Sequence, residues 1–141
     1  MALPATPAPA TTVSFSGVVA NLCVLTLTTP GLMGVSNDGT LLSSRESGGL
    51  KAVLAVVATG TNPQLSFSAP QLTGPSASTS SATTLLGYTS LGGGNRALSG
   101  GASSFTANRL LDTVTIDGAA LNSTGFVTGT YTLSSTVTCQ Q

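Results

Sequence analysis

The sequence predicts an all-β fold, a β-sandwich built from about seven short antiparallel strands. Three observations support this class. The chain contains 23 Thr and 17 Gly in 141 residues, and Thr favours pleated, half-buried strands whereas Gly marks turns. Short segments alternate apolar and hydroxyl side chains, and turn signals separate them. We find no stretch with the 3.6-residue period of an amphipathic helix. The length suits one domain with one core, and we place that domain at residues 12–141.

Residues 1–11 form a separate arm rich in Pro and Ala. Its prolines at positions 4, 7 and 9 favour extended backbone and remove hydrogen-bond donors. No secretory leader is visible, and no apolar run is long enough for a membrane-spanning helix. Two interpretations stay open: a mature exported chain whose leader was replaced by Met1, or a genuine N-terminal arm.

Residues 12–59 carry the first strand signals. Val13 and Phe15 alternate with Thr and Ser, and the alternation resumes from Cys23 to Leu27. We expect a bulge or a switch between sheets at residues 18–22. Residues 32–49 read as a connection. The continuous apolar run at residues 50–58 predicts a strand covered on both faces, with a helix as the alternative.

The second half contains a low-complexity region and the clearest strand. Residues 74–104 predict exposed loops or weak edge strands around a short strand at residues 85–89. Residues 109–117 predict another strand, ended by a turn at Asp117-Gly118. Residues 129–139 place Tyr131, Leu133, Val137 and Cys139 on one face and Thr or Ser on the other.

Two cysteines lie near opposite ends of the chain. If Cys23 and Cys139 pair, the bond would join the first strand to the last and stabilise the fold by roughly 4–5 kcal/mol in the chain-entropy model. The alternative is two free, buried thiols. We predict the disulfide, because the composition also indicates export to an oxidising compartment.

Charge and residue usage argue against an enzyme. The chain has four basic residues, four acidic residues and no His, so the commonest general base and metal ligand is missing. Asp38 and Asp117 each precede Gly and are interpreted as turn residues. We predict no catalytic residues, no metal site and no cofactor. Because the net charge is zero, we predict no basic surface for nucleic-acid binding, and we expect no membrane insertion.

Both ends of the domain resemble bacterial chaperone–usher pilins, including the spore-coat-U-like subunits of archaic pili. The resemblance rests on Val13-x-Phe15-x-Gly17-x-Val19-x-x-x-Cys23 and on the closing strand that begins Gly129-Thr130-Tyr131. It implies an Ig-like sandwich that lacks one strand. It also implies that the N-terminal arm of the next subunit supplies this strand, a form of β-augmentation.

We therefore expect a structural subunit of an extracellular pilus or fimbria-like filament, exported through the periplasm and homopolymeric. The resemblance adds a periplasmic chaperone and an outer-membrane usher as partners. Two alternatives remain, a self-contained secreted binding or adhesin module and a viral or phage surface protein. A binding module would need exposed aromatics, for which Tyr88 and Phe105 are the candidates. The expected interface residues are Leu3, Val13, Phe15, Tyr131, Leu133 and Val137.

Overall fold

The computed structural model describes residues 8–141, so Leu3 lies outside the described residues. The predicted all-β class is confirmed. The elements are β1 (Leu22–Thr29), β2 (Gly34–Val35), β3 (Leu41–Ser43), β4 (Ala52–Thr59), β5 (Gln64–Phe67), β6 (Gln71–Thr73), α1 (Ser76–Thr79), β7 (Thr83–Ser90), β8 (Asn95–Ser99), β9 (Ser103–Thr106), β10 (Leu111–Leu121), β11 (Thr132–Ser134) and β12 (Val137–Gln140).

The larger sheet is antiparallel and centres on β10. Strand β10 pairs with β4 and β3 on one side and with β7 on the other. Beyond these, β1 pairs with β4, β2 with β3, and β8 with β7. The long β10 therefore forms the spine of this sheet, because it joins the ladders of β4 and β3 to that of β7.

The smaller layer has three strand positions. Strand β5 lies between β9 and β12, and β6 pairs with β11. Strand β5 leads through Pro70 into β6, and β11 leads into β12. Each of these two segments therefore acts as one bent strand, and the two segments run antiparallel to each other. The described part of this layer is narrower than the larger sheet.

The core lies between the two layers. Its buried members come from the inner faces of both: Leu54, Val56, Leu65, Phe67, Leu86, Tyr88 and Val114. The ring of Phe67 stacks on that of Tyr88 with centroids 4.4 Å apart, and Phe105 completes the aromatic cluster. Alternating side chains on paired strands thus produce one continuous apolar interior.

Several predicted boundaries were wrong. Residues 74–104 were expected to form exposed loops or weak edge strands around a strand at residues 85–89. The expected strand is present as the longer β7, β8 is an edge strand beside it, and the short helix α1 was not predicted. Gly39 occupies a turn at φ +71°, as predicted after Asp38, but β10 runs straight through Asp117 and Gly118. A strand partner outweighs the local turn preference there, since Asp117 lies opposite Gly87 of β7.

Strand β4 is buried on one face instead of two. Val56 on the inner face is 1% exposed, whereas Val57 on the outer face is 47% exposed. Among the described residues, no helix is long and apolar enough to cross a bilayer.

Candidate functional site

An open apolar groove of about 940 Å³ lies between the two layers. Its floor is the inner face of the larger sheet, where Leu27, Leu54, Leu86 and Ile116 contribute aliphatic side chains. One wall is the segment at residues 126–135, which leads into β12. The groove is thus a part of the core space that the described chain leaves unfilled.

The wall of the groove is an unpaired strand edge. In the described part of the chain, β11 pairs only with β6 and β12 pairs only with β5. The opposite edges of β11 and β12 therefore present backbone N–H and C=O groups without a ladder partner. An added strand beside β11 and β12 would satisfy these groups and cover the apolar floor.

The Cys23–Cys139 disulfide joins β1 to β12 at one end of the groove. The predicted pairing is confirmed, with the two Cα atoms 6.3 Å apart, and it indicates an oxidising compartment. Strand β1 starts at this end and pairs on one side only, with β4, within the described residues. Farther along β1, Leu27 lines the groove, so β1 and β11–β12 diverge away from the disulfide.

Residues 8–21 form an exposed arm with apolar side chains in water. They belong to no strand of the described chain. Phe15 and Val18 are each 94% exposed, and Val13 and Val19 are more than 70% exposed. Burial of a large apolar side chain is favourable by about 1.5–3 kcal/mol relative to its exposure, so leaving four of them in solvent is unfavourable. Exposed apolar surface of this kind is typical of interaction sites and of segments prone to aggregation.

The arm leaves the sandwich at the disulfide end. The Thr59 hydroxyl donates to the Ala20 carbonyl at 2.6 Å, and Asn21 packs against Gly60. These contacts extend the line of β1 past the end of β4, away from the groove residues near Leu27. To fill its own groove the arm would have to reverse direction between Val19 and Leu22.

The predicted interface residues fall into two separate groups. Val13 and Phe15 lie in the arm, whereas Tyr131, Leu133 and Val137 line the groove. The described chain does not bring these groups together. Leu3 lies outside the described residues.

Sequence reasoning missed most of the groove floor and part of the arm. Val19 shares the parity of Val13, Phe15 and Gly17, a signal that was read instead as a bulge. The floor residues Leu27, Leu54 and Ile116 were recognised only as strand residues, because the sequence does not show that their inner faces border an open groove. Leu32 and Leu50 form an isolated bridge at the groove; Leu32 was predicted to lie in a connection, and Leu50 at the start of a strand.

The two aromatics considered for an exposed binding surface lie in the core. Tyr88 is 4% exposed and its ring lies 5.3 Å from that of Phe105. The Tyr88 hydroxyl is 3.0 Å from the Ser103 hydroxyl. The expected exposure of Tyr88 was therefore wrong, whereas Phe105 is partly buried against the core.

One cluster of charged groups forms around Asp117 of β10 on the larger sheet. The Ser44 hydroxyl donates to Asp117 Oδ1 at 2.7 Å, and Arg45 and Lys51 approach Oδ2 at 3.2 and 3.6 Å. Burial opposes ionisation of Asp117, but the hydrogen bonds from Ser44 and Arg45 and the two positive charges outweigh it. They hold the pKa of Asp117 below its usual value.

Asp38 has a separate, fully exposed setting. Hydroxyl donors from Ser36 and Thr40, each at 2.7 Å, and the Thr40 backbone N–H lower the pKa of Asp38 to about 2. The carboxylate thereby organises the turn at residues 36–40. Within residues 8–141, no three His, Cys, Asp or Glu side chains group as metal ligands.

Comparison with known proteins adds no identity. No protein-family model, curated protein or solved structure matches this chain.

Proposed function

We propose that the protein is a structural subunit that polymerises head to tail, each copy inserting its N-terminal arm as a strand into the groove of the next. The observation that carries this proposal is the pairing of two incomplete features in one chain. One is an exposed, alternating apolar arm, and the other is an apolar groove beside an unpaired strand edge.

The arm has the side-chain pattern that such a strand needs. In extended conformation Val13, Phe15, Gly17 and Val19 point to one side, and Ser14, Ser16 and Val18 point to the other, so the alternation is clearest over residues 13–17. The apolar side would cover the floor around Leu54 and Ile116. The described arm reaches about 45 Å at roughly 3.3 Å per residue, which is more than the length of β11 and β12 together.

Donation to another copy fits the geometry better than donation within one chain. The arm root is held on Thr59 and Gly60 at the disulfide end of the groove. Because donor and acceptor are different surfaces, the contact is heterologous and repeats without closing, which produces a filament.

The proposal extends to location and partners. The disulfide fits assembly outside the cytoplasm, and we place the filament at the cell surface of a bacterium. Before assembly the same groove would be covered by a periplasmic chaperone strand, and an outer-membrane usher would order the exchange. We propose identical or related subunits as the final partners.

The proposal is tested by placing charges on one face of the arm or on the other. Val13→Asp combined with Phe15→Asp would put carboxylates on the apolar floor, where burial of an unpaired charge is costly. Ser14→Asp combined with Ser16→Asp adds the same charge to the opposite side of the arm. We expect monomers from the first pair and filaments from the second, scored by electron microscopy and by unboiled denaturing gels.

Filaments from the Val13/Phe15 variant would contradict the proposed role of the arm. Equal loss of assembly in both variants would also contradict it, since the effect would then follow charge instead of side-chain direction. As an independent check, an excess of a synthetic peptide with the sequence of residues 8–21 should block growth of the unaltered protein.

A further inference from the structure

We infer that the Cys23–Cys139 disulfide bears the tension when an assembled filament is pulled. The force would then pass through the disulfide, and the chain between the two cysteines would not be extended. This inference rests on the proposed strand exchange. It concerns a mechanical role for the disulfide, beyond its contribution to folding stability.

The first observation is where force would enter a subunit. A donated arm would form its ladder mainly along β11 and the start of β12. Ten of the groove-lining residues lie in the stretch 127–137, which contains β11 and the first residue of β12, whereas β1 contributes only Leu27. Tension on the bound arm would therefore pull on β11 and β12 along their length.

The second observation is where force would leave the same subunit. Its own arm ends at Asn21, two residues before Cys23. Cys139 lies within β12 itself. The covalent route from the acceptor strand to the outgoing arm is therefore β12, the disulfide, and then Leu22 and the arm.

The third observation is how weak the route would be without the disulfide. In the described chain β1 pairs with β4, and β12 pairs with β5, so no backbone ladder joins β1 to β12. Apolar packing between the layers would transmit the load, and it is non-directional. The remaining covalent route runs through the intervening chain, since the cysteines are 116 positions apart.

The consequence is a large difference in extension under load. With the disulfide intact, unfolding of the sandwich would not lengthen the force-bearing path through that loop. With the disulfide reduced, each subunit that yields would release about 40 nm of chain, at roughly 3.5 Å per residue.

Stretching of single filaments tests the inference. Filaments of the unaltered protein are assembled, confirmed by electron microscopy, and pulled before and after treatment with a thiol reductant. We expect rupture without steps of tens of nanometres before reduction, and steps approaching about 40 nm after it. Both cysteines are half-buried, so the test uses complete reduction verified by thiol labelling.

The double variant Cys23→Ser, Cys139→Ser is the matched control. Its filaments should show the long steps with or without reductant. If this variant does not assemble, the comparison of unaltered filaments before and after reduction still tests the inference. Long steps from disulfide-intact filaments would overturn the inference. So would reduced filaments that rupture without lengthening, since the load would then pass through β1 directly. Failure of the unaltered protein to form any filament would instead overturn the proposed function, and this inference with it.

Discussion

Gly92 donates its backbone N–H to Asp112 Oδ1 at 2.9 Å, and the Thr113 N–H donates to the same oxygen. The other carboxylate oxygen, Oδ2, is buried without a hydrogen-bond partner among the described atoms. This contact joins the glycine-rich turn after β7 to the interior face of β10, so the Gly92-Gly93-Gly94 segment is part of the packed structure.

Gly92→Ala should destabilise the fold by about 1–3 kcal/mol, the range expected for overpacking. A Cβ at this position would lie 2.6 Å from Asp112 Oδ2 and 2.9 Å from the Ala107 Cβ. Urea denaturation measures the change. Gly100→Ala is the control, because its nearest neighbour is at 3.5 Å, and it should have little effect. Equal stability of the two variants would show that the Gly92 turn is not constrained by Asp112.

The acid stability of the fold should depend on Asp117. Its pKa is lowered in the folded protein, so its ionisation stabilises the fold above the unfolded pKa of about 3.9, and this contribution is lost as the pH falls through the folded pKa. Asp117→Asn should therefore cost about 1 kcal/mol at pH 7, and the cost should shrink towards zero at low pH.

Urea denaturation at several pH values between 2 and 7 measures this dependence. Glu46→Gln, in the neighbouring turn, is the control for loss of one negative charge. If Asp117→Asn shows the same destabilisation at every pH, the effect comes from packing and not from the ionised carboxylate.

Loss of the disulfide should destabilise the monomer by about 4–5 kcal/mol in the chain-entropy model, because the closed loop is long. The measurement is urea denaturation of Cys23→Ser, Cys139→Ser in the Val13→Asp, Phe15→Asp background, which keeps the protein monomeric under the proposed function. A loss below about 1 kcal/mol would indicate that the reduced chain keeps its ends together in the unfolded state.

Complementary variants should cap one another. Val13→Asp, Phe15→Asp leaves a groove without a usable arm, and Leu133→Asp leaves an arm without a usable groove. We expect monomers from each alone and a dimer from an equimolar mixture, measured by light scattering after size exclusion. Circular dichroism confirms that both variants are folded. A mixture that stays monomeric would contradict strand exchange, and longer polymers would show that one variant retains its altered function.

Local patterns were most informative where one face of a segment meets the core. Residues 129–139 were predicted to place Tyr131, Leu133, Val137 and Cys139 on one face. These side chains are all partly buried, whereas the Thr and Ser residues of the opposite face are exposed. The predictions were incomplete for β7 and β8. A short strand was expected at residues 85–89, but not the full length of β7 or its pairing with β8, since Ser, Thr and Gly form strands there through pairing with β10 and with each other. Likewise Asp117-Gly118 has a turn preference that distant partners override.

By itself the sequence determined the all-β class, the exposed hydroxyl faces and the presence of two cysteines suited to pairing, because alternation and composition are local properties. Only the tertiary structure decided that β11 and β12 each keep one edge unpaired among the described residues. It also decided that the root of the arm, at Ala20, is held on Thr59 at the end of β4. The physical reason is that an unpaired edge and an unfilled interior depend on which distant strands lie side by side. Residues 8–21 read equally well as a strand of this sandwich or of its neighbour until the positions of β1 and β12 are known.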